Sequence, residues 1–276
     1  MTQNPSQERD RAGPMAPAGR GRRALLLGAA ALPFLARRAA AAELVVFSSG
    51  GLNAAYLTLV PAFQQQTGHS LVSVQASSMG AAPDAIPQRL GRGEPADVLL
   101  LASGGLEPLA ARGLILPDSR VDIARSLIGM CVRAGAPKPD ISSVDAFRQA
   151  LLNASSIAYS ASASGVYIEN EMYRRLGIHE QVMPKSRRIL SERVASVVAR
   201  GEAEIGFQQV SEILFVEGAA YVGTIPEPVQ LPTIFCAAIP AKAREPEAAR
   251  ALIRFLASPE AAPALERTGL EPLNRG

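Results

Sequence analysis

Four short stretches place serine, often with glycine, where a helix is about to begin: FSSGGLNAAY (47–56), ASSMGAAPDA (76–85), SASGVYIENE (162–171) and LSERVASVV (190–198). The start of a helix carries backbone N–H groups without partners and a partial positive charge, so it can hold an anion without help from lysine or arginine. Small side chains let the anion reach those groups. The chemistry suggested is capture of a small anion by hydroxyl and amide donors, with Ser48, Ser49, Gly50, Gly51, Ser77, Ser78, Met79, Ser164, Gly165, Val166 and Ser191 as candidate ligand-binding residues. Serine is also a common N-cap, so one such stretch alone would mean capping. Two in each half of the chain point to a shared cleft.

Other chemistries lack their residues. A serine hydrolase would want a Gly-x-Ser-x-Gly elbow with a histidine partner, and neither His69 nor His179 lies in such a motif. There is no Walker loop and no dinucleotide fingerprint. Cys131 and Cys236 sit inside apolar strand-like runs and can be either a disulfide or two buried thiols. With the histidines isolated from each other and from the cysteines, no metal-ligand spacing exists, and no metal or cofactor is expected.

The elements that must position these clusters alternate. In the first half ELVVF, HSLVSVQ and ADVLLLA read as strands, LNAAYLTLVPAFQQQTG as a helix, and MGAAPDAIPQRLGRG as a helix interrupted by prolines. The second half repeats the scheme with strands SLIGMCVRAG, SSIAYS and EIGFQQ and helices SVDAFRQALLN, VYIENEMYRRLG and ERVASVVARG. The expected fold is α/β, two similar lobes, each a mixed and mostly parallel sheet flanked by helices, with the cleft between them. The last part, REPEAARALIRFLASPEAAPALERTGL, reads as two short helices divided at Ser258-Pro259.

Ahead of all this, GRGRRALLLGAAALPFLARRAAAAE gives a basic patch, an apolar run and a small-residue end, the order of an export signal over residues 1–42. Arg22 and Arg23 suit the twin-arginine route, and a long ordinary signal also fits. Either route implies a periplasmic protein with no membrane span in its mature chain. Those 42 residues hold seven Arg, one Glu and one Asp, so the remainder carries about −2 instead of +3. A nucleic-acid role therefore loses its main argument.

From VVFSSGGL, ASSMGAAPDAIPQRLGRGEPADVLLLA, SGVYIENEMYRRLG, VVARGEAEIGFQQ and EAARALIRFLASPEAA, the chain after residue 42 resembles the periplasmic molybdate-binding proteins of ABC importers. The resemblance implies a type II periplasmic binding-protein fold, a lobe of residues 43–124 plus 223–276, and a second lobe of 125–222. Crossings are expected near Ala124 and Gly223. By motif, the family's ligand positions fall on Gly51, Ser78, Ser164, Ser191 and Gln209.

Two positions depart from the family. Gly51 stands where a hydroxyl is expected, and Gln209 where a tyrosine is expected. A dry pocket for a compact dianion depends on each donor. Gly51 would also open space, while Gln208 and Gln209 can donate to carboxylate oxygens, so a di- or tricarboxylate fits the change. SSGG, ASSMGAAPDAIP, YSASASGVY and GFQQVSE are similar to a side branch of the family, the aconitate isomerases. Two functions follow: a solute receptor for a small anion, acting as a monomer with an ABC permease as partner, or an isomerase that shifts a proton along aconitate. The second needs a base and an acid, for which Tyr167, Glu169, Lys185 and Glu212 are the cleft-side candidates.

Overall fold

The computed structural model describes residues 41–274. The expected export signal lies almost wholly outside them. The first half forms β1 (Glu43–Ser48), α1 (Gly50–Thr67), β2 (Ser70–Gln75), α2 (Ile86–Gly91), β3 (Val98–Ala102), α3 (Ser103–Ala111) and β4 (Val121–Ser126). After it come β5 (Ile128–Arg133), α4 (Val144–Asn153), β6 (Ile157–Ser160), α5 (Ala163–Tyr167), α6 (Tyr173–Arg175), α7 (His179–Val182), β7 (Ser186–Ile189), α8 (Val194–Ala199), β8 (Ile205–Gln209), α9 (Val210–Ile213) and β9 (Ala219–Thr224). The chain ends with β10 (Thr233–Ala238), α10 (Pro246–Leu256), α11 (Ala262–Arg267) and β11 (Glu271–Pro272).

These strands build two sheets. The first runs β11-β4-β10-β3-β1-β2 and the second β7-β6-β8-β5-β9. β1 is parallel to β2 and β3, and β6 to β7 and β8, as βαβ alternation demands. The strands next to the crossings run antiparallel: β10 with β3 and β4, β5 with β8 and β9. Ala124 and Gly223, the expected crossing points, lie inside β4 and β9. The chain changes sheets between Ser126 and Ile128 and returns between Thr224 and Thr233.

Both sheets are covered on both faces, which is why inner strands such as β3, β5 and β10 are apolar runs without alternation, whereas the edge strands β2 and β7 carry exposed polar residues. In the first, Leu44, Val46 and Leu100 pack with Tyr56, Phe63 and Leu252, while Phe47, Leu99 and Leu101 pack on the other side with Leu106 and Cys236. The second sheet divides likewise, Met130, Tyr159 and Phe207 facing Phe147 and Tyr173, and Cys131 and Ala158 facing Val194 and Val198. Cys131 and Cys236 are both free and buried, one in each sheet.

The acidic residues that lead into β3 and β8 are structural. Asp97, fully buried, accepts hydrogen bonds from the N–H groups of Val45 (2.9 Å), Arg244 (2.8 Å) and Glu245 (3.3 Å), pinning the start of α10 to β1. Glu204 accepts from Ser155 N at 2.7 Å in the corresponding place.

Two expected helices differ. Residues 79–85 are irregular, with Gly80 at φ 107°, and the helix starts only at Ile86 with Pro87 in its first turn, where the missing N–H costs nothing. The helix expected through 166–177 starts at Ala163 and widens into a π turn over Ile168–Met172.

Candidate functional site

The carboxyl ends of the parallel strands in both sheets converge on one cavity of about 300 Å³. β1 delivers Ser49, Gly50 and Gly51, β2 delivers Gln75 to Ser78, β6 delivers Ser160 to Ser164, β7 delivers Ile189 to Arg193, and β8 delivers Gln208 and Gln209. This is where open α/β sheets bind ligands, because each strand end is followed by a turn and a helix start.

Capping does not account for the serines here. Ser143 caps α4 in the ordinary way, its Oγ accepting from Ala146 N at 3.1 Å with Asp145 in the first turn. The helices at the cavity are built otherwise: α1, α5 and α8 have no side-chain cap and no acidic residue in the first turn. Ser49, the N-cap residue of α1, is 2% exposed, and its Oγ has no hydrogen-bond partner. Buried polar atoms are nearly always paired, so an orphan hydroxyl at a cavity wall needs a reason. Ser78 Oγ accepts from Ala102 N at 2.9 Å, which leaves its proton free to donate. Ser164 Oγ lies 3.1 Å from Ser160 Oγ.

Of the residues singled out above, Ser49, Gly50, Gly51, Ser77, Ser78, Ser164, Ser191, Gln208, Gln209 and Glu212 line the cavity. Ser48, Met79, Gly165 and Val166 do not. Gly165 has a packing role: a β-carbon there would fall 1.5 Å from the carbonyl oxygen of Ser160. Gly51 opens no space for ligand, since the Phe235 ring occupies it, 2.1 Å from where a β-carbon would be. Gly50 likewise admits the Glu212 carboxylate, with Oε1 1.9 Å from the same point.

Three of the four acid–base candidates are engaged elsewhere. Tyr167 donates to Val229 O at 2.9 Å and accepts from Arg175, deep in the second lobe. Glu169 pairs with Arg188 at 3.3 Å, and Lys185 caps the end of α4 by donating to Leu152 O and Ala154 O. Glu212 alone reaches the cavity. Burial pushes its carboxyl up to about 7, against the lowering influence of Arg193, the Gln209 backbone and the Gln208 side chain. Gln208 is held in turn by Ala195 N, which donates to its Oε1 at 3.3 Å.

Sequence reasoning missed Arg193, Asp84 and Phe235, although LSERVASVV and ASSMGAAPDA contain the first two. Arg193 is the one cation in the cavity wall; among the described residues its guanidinium forms no side-chain hydrogen bond or close ion pair, and its charge acts on Glu212. Asp84 Oδ1 is buried and has no partner, and so is Gln209 Oε1, whose amide nitrogen donates to Thr233 Oγ1 at 2.9 Å. The wall can thus supply a cation, free hydroxyls and amide N–H groups to an anion, with one near-neutral carboxyl beside them. Among the described residues no cluster of His, Cys, Asp or Glu could hold a metal ion, and no helix is long and apolar enough to cross a membrane.

The family model of bacterial extracellular solute-binding proteins matches residues 44–271. The chain belongs to this family. The chain is also 48% identical over 250 residues to an aconitate isomerase from a Pseudomonas species, covering 91% of this chain and 94% of that one. Solved structures of solute-binding proteins share the fold. The periplasmic molybdate-binding protein of Azotobacter vinelandii superposes with a TM-score of 0.66 at 23% identity, covering 83% of this chain and 98% of that one. The sulfate-binding protein SubI of Mycobacterium tuberculosis H37Rv gives 0.67 at 16% identity, covering 84% and 88%.

Proposed function

We propose that this solute-binding fold works as an aconitate isomerase, interconverting trans- and cis-aconitate in an exported setting. The 48% identity to an aconitate isomerase over nearly the whole chain carries the reading. The cavity supports it with a base of suitable strength and donors suited to several carboxylates.

Glu212, with its carboxyl near 7, removes a proton from the substrate's methylene carbon. The electron pair moves through the neighbouring double bond onto the carboxylate conjugated with it, giving an extended enolate. Arg193, the Gly50 and Gly51 N–H groups and the hydroxyls of Ser49 and Ser78 hold the carboxylates and the charge that develops on them. A proton returned to the former vinyl carbon completes the allylic shift, and the new double bond forms with the cis arrangement. Nothing is oxidised or reduced. Ser164, Ser191, Gln208 and Gln209 complete the proposed binding set, with the domain assignment of residues 43–124 plus 223–276 against 125–222.

The family's common property, binding a solute, favours a second reading in which the protein is a receptor for the same anion and serves a permease. Proton NMR of trans-aconitate in D2O with the purified protein separates the two. Appearance of cis-aconitate carrying deuterium establishes the isomerase. Line broadening without conversion leaves the receptor, and molybdate added as a competitor reports which anion the cleft prefers.

A further inference from the structure

α9 is a helix of only four residues that follows β8 of the second sheet and reaches into elements of the first. Ser211 Oγ donates to Gly51 O at 2.7 Å, a buried hydrogen bond between residues far apart in the chain. Next to it, Glu212 Oε1 lies against Gly50. On the other side, Val210 Cγ1 and Leu214 Cδ1 lie 2.8 and 2.9 Å from the point that a β-carbon on Gly269 would occupy. Gly269, at φ 78°, joins α11 to β11. α9 is thus wedged between the start of α1 and the end of α11, with Gly50 and Gly269 making room for it.

Ser211 is 3% exposed and is not part of the cavity wall, so whatever it does to a reaction it does through another residue. Backbone pairing does not require it, because the Gly51 carbonyl already belongs to the ladder of α1. Apolar contacts such as those of Val210 and Leu214 are non-directional and let a short helix turn in place. A hydrogen bond has a direction. This one joins residue 211 to residue 51, immediately beside the approach of residue 212 to residue 50.

We propose that Ser211 is a positioning residue: by anchoring α9 to the Gly51 carbonyl, it fixes the Glu212 carboxyl at the start of α1, at the edge of the cavity. That Glu212 acts as the base rests on the function proposed above, whereas its anchoring by Ser211 does not. Without the anchor α9 can turn, the carboxyl leaves its place beside Gly50, and water reaches it. Burial is the largest influence on the Glu212 carboxyl and outweighs the lowering influence of Arg193; Asp84 and Glu192 are the other charged groups of the wall. Hydration therefore moves the titration of Glu212 down, even where Arg193 is lost as a neighbour.

The test compares wild type with Ser211→Ala in two ways: NMR titration of the Glu212 carboxyl in protein labelled at its glutamate carboxyl carbons, assigned through Glu212→Gln, and steady-state kinetics of aconitate isomerisation. Ser211→Ala orphans no buried polar group, since Gly51 O keeps its helical donor, so the variant folds. Its Glu212 carboxyl should titrate below about 7, shifted towards the ordinary 4.5. Turnover should fall about ten- to a hundredfold with KM within about twofold of wild type, because the base moves while the donors of the wall stay in place. A residue that only supported the fold would lower the melting temperature and leave both the titration and the kcat of the folded protein alone. An unmoved titration, or an unmoved kcat beside an active wild type, overturns the inference. Should Ser211→Ala fail to fold, Ser211→Cys keeps the bulk with only a weak S–H donor and is read in the same way. If wild type does not isomerise aconitate, the function reading falls, and the titration of Glu212 alone then decides the role of Ser211.

Discussion

Glu212 of the second lobe rests against Gly50 of the first, its Oε1 1.9 Å from the point that a β-carbon on residue 50 would occupy. The carboxylate reaches the start of α1 only because residue 50 has no side chain. Gly50→Ala should therefore leave the fold intact, since the atom it meets is the free end of a flexible side chain. It should also shift the base, and a misplacement of about 1 Å costs on the order of a hundredfold in turnover. Thermal unfolding together with the aconitate NMR assay would check both halves.

Replacing Glu212 by Gln should lower isomerisation by about 10² to 10⁴, the usual worth of a positioned base. Wild-type kcat/KM should rise as pH climbs through about 7, where the carboxyl ionises. Stability should move the opposite way. The folded-state value lies above the ordinary 4.5, so this group's contribution is complete below that value and is lost as pH rises through about 7. Urea midpoints at pH 4 and pH 8 should converge on those of Glu212→Gln only at the lower pH, after allowing for the shared background.

Arg193→Gln should weaken aconitate binding by about ten- to a hundredfold, the worth of a hydrogen bond to a charged group. Removing the guanidinium also removes an influence that lowers the Glu212 carboxyl, so the acid limb of the kcat/KM profile should move above its wild-type position. A fall in affinity with an unmoved limb would separate ligand binding from the tuning of Glu212.

Ser164 and Gly165 are adjacent and should fail differently. Ser164→Ala removes a hydroxyl at the cavity and should cost about tenfold in ligand affinity, with little change in melting temperature. Gly165→Ala forces a β-carbon to within 1.5 Å of a backbone oxygen, which cannot rotate away. Its damage should appear as about 2–4 kcal/mol of lost stability in denaturant titration.

Asp97→Ala should be among the more destabilising single changes. It strips three backbone N–H groups of their acceptor, at about 1–3 kcal/mol for each buried group left unpaired. Ligand affinity of the protein that remains folded should be unchanged.

The two-lobed fold was legible because apolar runs bounded by glycine alternate with helical patterns, and because serines recur at helix starts. Those signals are local. What escaped depends on contacts between distant parts of the chain. Gly51 read as open space because the ring that fills it belongs to Phe235, far along the chain. Tyr167, Glu169 and Lys185 looked available because their partners Val229, Arg188 and Leu152 could not be placed beside them. Arg193 and Asp84 stood inside stretches already chosen for their serines, but a charged residue at a helix start is indistinguishable in sequence from a solvated one. The π turn at Ile168–Met172 had no warning in the local pattern, which reads as an uninterrupted helix.

The two segments that join the sheets are tied by one side chain. Gln230 accepts from Ile128 N at 2.9 Å and donates to Ile128 O at 3.0 Å and Ile225 O at 3.4 Å. Two independent straps would let the halves twist and slide as well as part. Straps fastened together behave as a single pivot, leaving rotation about one axis as the soft motion. In the isomerase proposed above, a substrate would enter and leave along that same swing, and closing would restore the approach of Glu212 to Gly50, which come from opposite halves of the chain.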